Sequence, residues 1–521
     1  MMRRTLDAPA GLRRSSEPSS TRSRAALLLL GLVIAAVAFI PRAATLGEGF
    51  TVDEKLWVER SARFTNAVFD GDLARTAVSG HPGVTTSWVA GLAQRTLPRD
   101  AGLRDRYTRA RLGVVIASVL LLVVIWLLAR ALVGEAAAAT GAVVLALDPF
   151  LIGHNRVLQL DGIESLAMLG SVLALLGAVR RREDGRWLLV ASGVLAGLAL
   201  LTRTLFAGIL VLVVLRVLLR DGLGVWRRFA LWAGVAVVVY VALWPALWVD
   251  PWSALSHIVS SNARAADDAA ASGFFLGRQI SPPGVVVYPV VAVLRLSAFA
   301  MPACIAAALW ARKHRVSEPN AALAGTLLLF AAAFALFIGV GIKTADRYLL
   351  PSLVAIDLAA AVWLTHVLSS RRRVVAALAV AAALAVHAAP GLALHPYEIA
   401  SYNWLVGGPA TAEHALVVGW GEGLDVAARD LAARIDGADA VTVATTRLTG
   451  FEEFWPGTTI RIEDSSLVRP GARRPDLVLF YISSVQVGRV SEVWARFRDQ
   501  TPYYELTING IPYVRVYKDE S

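Results

Sequence analysis

Asp53 and Glu54 stand side by side just after the first apolar stretch of the chain, and Asp161 opens a later one. Carboxylates in such places suit a general base that takes a proton from a hydroxyl. Cations stand in matching places. Arg156 and Arg203 flank apolar stretches, and Lys343 and Arg347, the latter followed by Tyr348, precede another. Arginine and lysine suit a phosphate, arginine through its planar fork of donors. Acids and cations together at a bilayer surface point to a reaction on a lipid-linked phosphate. The cations would stabilise charge building on a phosphate leaving group, and a carboxylate would take the proton of the attacking hydroxyl.

Each residue also has a structural reading. Thr51-Val52-Asp53-Glu54 is a capping box for the amphipathic run through Trp57, Phe64 and Val68, with Glu54 as the cap. The two readings of Asp53 are compatible, because the helix dipole favours a negative charge there and a base must carry one. Asp161 reads as an N-cap with Glu164 three residues on. Arg347 and Tyr348 read as an interfacial anchor, and Arg203 as a snorkelling side chain. The convergence of acids and cations on one side of a membrane raises the functional reading above these.

Placing those residues requires the elements around them. Apolar runs fall at about 25–42, 111–132, 135–152, 162–180, 187–202, 205–219, 229–248, 285–310, 320–341, 349–369 and 372–392, each near the length that spans a bilayer. They predict eleven transmembrane helices. The first run is longer than a signal-peptide core, so it reads as a retained helix. Residues 1–24, rich in Arg and Ser, read as a disordered cytoplasmic tail. The short loops on the tail's side then carry Arg130, Arg180, Arg181, Arg182, Arg186, Arg216, Arg220, Arg227, Arg228, Arg312, Lys313, Arg315, Arg371, Arg372 and Arg373. The other side carries fewer: Arg156, Arg203, Arg264, Arg278, Lys343 and Arg347. This positive-inside bias puts the candidate residues on the outer face. Arg295 alone falls mid-span, where a charge needs a partner or a water-filled cavity.

Two outer segments are too long to be connectors. The first, about 43–110, predicts amphipathic helices lying on the membrane around a His81-Pro82-Gly83 turn. The second, about 249–284, carries Trp252 and a Pro282-Pro283-Gly284 break. Residues 393–521 predict an extracytoplasmic α/β domain. Strands are expected at 414–420, 440–446 and 476–482, and a helix at 424–435. A closing hairpin turns at Asn509-Gly510, and Pro512 is expected to push its strand to an edge. Gly419-Trp420-Gly421-Glu422-Gly423 matches a dinucleotide loop poorly.

Composition agrees. The 521 residues are 56% apolar and 17% charged, against about 45–50% and about 25% in soluble domains. Disordered, collagen-like and single soluble-domain classes are excluded. Cys304 is the only cysteine, which rules out a disulfide framework or a CxxC metal site. The net charge of +11 is scattered over short loops, which favours anionic lipid over nucleic acid.

The pattern resembles the polyprenyl-phosphate-sugar-dependent glycosyltransferases of the C-type (GT-C) fold, closest to the protein O-mannosyltransferase and lipid A aminoarabinose transferase (ArnT-like) group. The resemblance rests on Asp53-Glu54 after the first helix, GHPGVTTSW (80–88), RVLQLD (156–161) and DRYLLP (346–351), and covers about 25–392. It implies an all-α polytopic membrane domain at 25–392 with a C-terminal extracytoplasmic domain. It implies inverting transfer of a sugar from a polyprenyl-phosphate donor to an acceptor hydroxyl by a hexosyl- or pentosyltransferase, the sugar being mannose, another hexose or an amino sugar. It gives Asp53 as the base, Asp161 as a second active-site acid, and Arg347 with Tyr348 as donor-phosphate ligands. Lys343, Arg203 and Arg156 are further phosphate candidates on charge and topology. His81 matches the first-loop motif with its role open, and Glu54 is either a catalytic acid or a cap. The acceptor is a protein, lipid or cell-wall glycan. Members with and without a divalent metal exist, and no ligand spacing here decides between them. The alternative reading is a transporter or flippase, which the lack of an internal repeat disfavours.

Overall fold

The computed structural model describes residues 20–98, 100–270, 273–281, 283–341 and 344–519. The expected tail as far as residue 19, Pro282 and the phosphate candidate Lys343 lie outside the described residues. The chain is a helical membrane domain carrying a small α/β domain.

All eleven apolar runs are helical, but they are not eleven straight rods. Among the described residues, seven unbroken helices are long and apolar enough to cross a bilayer, and two bent pairs, each taken as one span, raise this to nine. The remaining two runs are the shorter helices Arg186–Thr202 and Ile209–Asp221. Helices Asp161–Arg181 and Leu350–Leu368 are central, whereas Ser20–Ala43, Val225–Ala242 and Arg373–Leu394 are peripheral. Peripheral apolar side chains such as Leu28, Leu29 and Leu32 point outward. Apolar residues on both the packed and the outward faces are what gives such helices long uninterrupted apolar runs.

Both bends have a local cause. At the first, Asp148 accepts a hydrogen bond from Leu151 N at 2.6 Å and Pro149 follows it. This is a helix start placed inside an apolar run, and the axis turns by 61°. At the second, helix Gly284–Arg295 ends at an extended Leu296, and Ser297 Oγ caps Ala300 N at 3.0 Å. The axis turns by 113°. Arg295 is therefore not mid-span, as the continuous run 285–310 suggested. It lies at the mouth of this break.

The first outer segment forms helices Glu54–Phe69 and Val84–Gln94. Their buried face (Trp57, Val58, Ser61, Phe64 and Thr65) packs on protein, against each other and helix Leu103–Val133. That face is thus covered by protein rather than by lipid, a correction to the expectation. Gly83 turns the chain at φ 61° and donates its N–H to Thr202 O at 3.1 Å. A Cβ there would sit 2.5 Å from the Trp57 ring. Gly83→Ala is expected to destabilise the protein by about 2 kcal/mol or more, from backbone strain and clash together. A melting temperature equal to wild type would contradict this.

The C-terminal domain holds five strands: β1 (Thr442–Thr445), β2 (Thr458–Arg461), β3 (Leu477–Tyr481), β4 (Tyr504–Ile508) and β5 (Ile511–Lys518). Their order is β2-β1-β3-β5-β4. β1 is parallel to β2 and β3, while β5 is antiparallel to β3 and β4. Helix Leu424–Arg434 is as expected, and so is the turn at Asn509 and Gly510, two residues with positive φ. Two expectations fail. Residues 414–420 are not a strand, because their backbone is bonded elsewhere. Val418 N donates to Gln486 Oε1 at 2.8 Å, and Trp420 O accepts from Val52 N at 3.0 Å. Pro512 does not force an edge either. It lies before Val514, where pairing with β3 begins, so β5 is an inner strand and β4 takes the edge.

Candidate functional site

A cavity of about 440 Å³ opens between the ends of the membrane helices and the C-terminal domain. Both parts line it. Asp53, His154, Arg295, Asp346 and Arg347 come from the membrane part, and Trp420, Glu422, Arg447, Arg489 and Tyr513 from the sheet domain.

Asp53 precedes helix Glu54–Phe69 without capping it. Its side chain is 45% exposed. Oδ2 accepts a hydrogen bond from Trp420 Nε1 at 2.9 Å and lies 3.8 Å from Arg347 Nη2. The Gly-rich loop makes this possible. Gly419, Gly421 and Gly423 all have positive φ, and a Cβ on Gly421 would come within 2.8 Å of Val52. Only glycine lets the loop approach closely enough to aim Trp420 at Asp53.

Arg347 sits between the two acids. Its Nε lies 3.8 Å from Asp161 Oδ2, and its guanidinium stacks 4.1 Å from the Trp420 ring centroid. These ion-pair contacts are longer than hydrogen bonds, so its fork keeps donors for a ligand. Asp161 is buried at the start of helix Asp161–Arg181. It accepts from Arg203 Nη1 at 2.9 Å on Oδ1, while Oδ2 has no hydrogen-bond partner. Arg295 is fully engaged. It pairs with Asp346, donates to Ile399 O and Ser401 O at 2.7 Å each, and stacks on Tyr402. Both ring nitrogens of buried His154 lack a partner.

Five of the candidates do not line the cavity. Glu54 is buried and held by Arg111, with contacts of 2.7 and 2.5 Å, and by Leu158 N at 2.7 Å. It also accepts from Thr51 N at 2.9 Å, so it caps and braces. Arg156 is buried against Glu398 at 2.8 and 3.0 Å, with Ala44 O at 2.9 Å. Arg203 is shared between Asp161 and Glu164, so its charge goes to protein carboxylates and not to a phosphate. Tyr348 is buried between Phe206 and Arg203. His81 does not line the cavity, and its backbone N–H donates to Ser79 Oγ at 3.2 Å.

Sequence reasoning missed Trp420, Arg447 and Arg489, and it had Asp346 without its partner. The one usable signal was the glycine spacing around Trp420. In the C-terminal domain, burial pushes the Glu422 carboxyl up from its ordinary value, partly offset by the Trp420 N–H and by Tyr481 OH at 3.0 Å. Among the described residues, one set of three side chains could share a metal ion: Asp148, Asp357 and His387. It is buried in the helical bundle and is not part of the cavity lining.

Residues 103–248 match the family described as dolichyl-phosphate-mannose-protein mannosyltransferase. No curated protein matches the chain. Among solved structures, the chain is similar to ArnT from Cupriavidus metallidurans bound to undecaprenyl phosphate. The identity is 15%, 96% of this chain and 99% of that one are covered, and the TM-score is 0.52. The apo form of the same protein gives 15%, 95% and 98%, with a TM-score of 0.49. An oligosaccharyltransferase from Archaeoglobus fulgidus gives 10%, 85% and 65%, with a TM-score of 0.44. The chain is a multi-pass membrane protein of the GT-C fold.

Proposed function

We propose that this GT-C-fold membrane protein is a glycosyltransferase that moves a sugar, a hexose such as mannose, from polyprenyl phosphate to an acceptor hydroxyl with inversion. The observation that carries the reading is Asp53. It is a half-exposed carboxylate aimed into the cavity, with the Arg347 guanidinium 3.8 Å away. The acceptor oxygen attacks the anomeric carbon on the face opposite the phosphate. The new C–O bond forms as the bond from carbon to the phosphate oxygen breaks, and the electron pair leaves with the phosphate. Asp53 takes the hydroxyl proton, and Arg347 stabilises the charge growing on the leaving group. Asp161 holds Arg347 in place from behind, itself anchored by Arg203. His154, unpartnered in the wall, is available to a sugar hydroxyl. The charge bias of the short loops puts the N-terminus in the cytoplasm and the cavity on the outer face.

The test is a panel of polyprenyl-phosphate sugars given to the purified protein in nanodiscs, following sugar release from the lipid. Release of one sugar establishes the reaction and names the donor, and added protein, lipid or glycan acceptors then compete with water for it. Uptake of lipid-linked sugar into sealed vesicles without any cleavage would replace this reading with transport.

Trp420→Phe keeps the ring under Arg347 but removes the hydrogen bond to Asp53. A hydrogen bond to a charged group contributes about 1.5–3 kcal/mol, so kcat should fall by about tenfold or more while the melting temperature holds. An unchanged kcat would show that Trp420 does not orient Asp53.

A further inference from the structure

The α/β domain meets the cavity at the carboxyl ends of strands β1 and β3, and the strand order there has a particular topology. From β1 the chain moves to β2 on one side, then crosses to β3 on the other side of β1. In parallel sheets such a reversal parts the loops at the carboxyl ends of the two strands, and ligands bind in the crevice between them. Here the crevice lies beyond the carboxyl ends of β1 and β3. Arg447 follows β1, while Ser483 and Arg489 follow β3, and all three line the cavity.

Two of the cavity's arginines have no ion-pair partner among the described residues. Of the four arginines lining the cavity, Arg295 is paired with Asp346, and Arg347 lies between Asp53 and Asp161. Among the described residues, neither Arg447 nor Arg489 has a carboxylate oxygen within 4.0 Å. Arg447 Nη2 reaches only Ser483 Oγ, at 3.4 Å, and its Nε is buried with no hydrogen-bond partner. Burial, then the neighbouring Arg489 cation, pushes the Arg447 guanidinium below its ordinary pKa. Arg489 is exposed at the crevice, and half-buried Arg447 beside it carries a buried orphan donor, which costs free energy unless a ligand completes it. A phosphate supplies the matching oxygens for a guanidinium fork.

Resting on the glycosyltransferase reading, we propose that Arg447 and Arg489, at the β1/β3 switch point, bind the phosphate of the lipid-linked donor. The membrane domain then contributes the base and the α/β domain contributes a phosphate clamp on the facing wall. Lipid phosphate is the shared chemistry, and a general phospholipid headgroup is the other source that could supply it.

The experiment measures binding to the full-length protein in nanodiscs, with polyprenyl phosphate, phosphatidic acid and inorganic phosphate as separate probes. Wild type and Asp53→Asn should bind polyprenyl phosphate alike and in preference to the other two. Arg447→Gln and Arg489→Gln should each weaken that binding by about tenfold or more. Arg447→Lys, which keeps the charge and loses the fork, should recover part of it. Melting temperatures without ligand should stay at the wild-type value, separating lost binding from lost folding. Unchanged affinity in the double glutamine variant would overturn this assignment and leave the glycosyltransferase reading standing. Equal affinity of wild type for phosphatidic acid would overturn the donor as the source. If wild type bound no polyprenyl phosphate, both this assignment and the reading beneath it would fall.

Discussion

Asp53→Asn should abolish sugar transfer, lowering kcat by about 10²–10⁴-fold, the range for loss of a positioned general base. Folding should be untouched. The side chain is 45% exposed, makes no helix cap, and has one hydrogen bond, from Trp420. The amide can still accept that bond through its oxygen, so the geometry of the site is kept while proton uptake is lost. The measurement is single-turnover transfer beside thermal unfolding, with donor binding as a control. Wild-type turnover in the variant would remove Asp53 as the base. Loss of donor binding equal to the loss of rate would make it a binding residue instead.

The next residue along the chain should give the opposite result. Glu54 is fully buried against Arg111, which also donates to Leu46 O at 2.7 Å and Gly49 O at 3.0 Å. Glu54→Ala leaves a buried guanidinium without its counter-charge, and breaking a buried pair in this way costs about 3–5 kcal/mol. The contact ties helix Glu54–Phe69 to helix Leu103–Val133 and, through Leu158 N, to the segment before Asp161. The variant should express poorly and melt far below wild type. Variant protein that does fold should retain a measurable turnover rate. A stable Glu54→Ala protein with no activity would return Glu54 to the catalytic set.

These two neighbours show what a sequence displays and what it hides. Acids and cations at the ends of apolar runs are visible, because the bilayer makes every other position in those runs apolar. Asp53, Asp161 and Arg347 were therefore legible. Whether a given charge is free is not, because its partner lies anywhere in the chain. Glu54 is taken by Arg111, Arg156 by Glu398, and Arg203 by Glu164 together with Asp161. The same limit applies to the backbone. Residues 414–420 have the composition of a strand, yet their hydrogen bonds go to Gln486 and Val52. The helices inside the apolar runs were legible, but the breaks at Asp148-Pro149 and Leu296 were passed over, since a few polar residues hardly dilute a long apolar run. Arg447 and Arg489 lay in a domain whose composition named no ligand, and only the strand order shows where they meet.

The composite wall of the cavity also sets when the cavity is complete during the protein's own synthesis. Asp53 emerges with the first helices, whereas Tyr513, on the final strand, completes the lining. Between them the chain must insert its remaining helices and pair β5 between β3 and β4. A ribosome-bound intermediate can hold Asp53, Asp161 and Arg347 and still lack Trp420, the hydrogen-bond donor to Asp53. On the proposed glycosyltransferase reading, nascent chains should be silent toward the lipid donor until the last segment has folded, and removal of the final strand should abolish transfer.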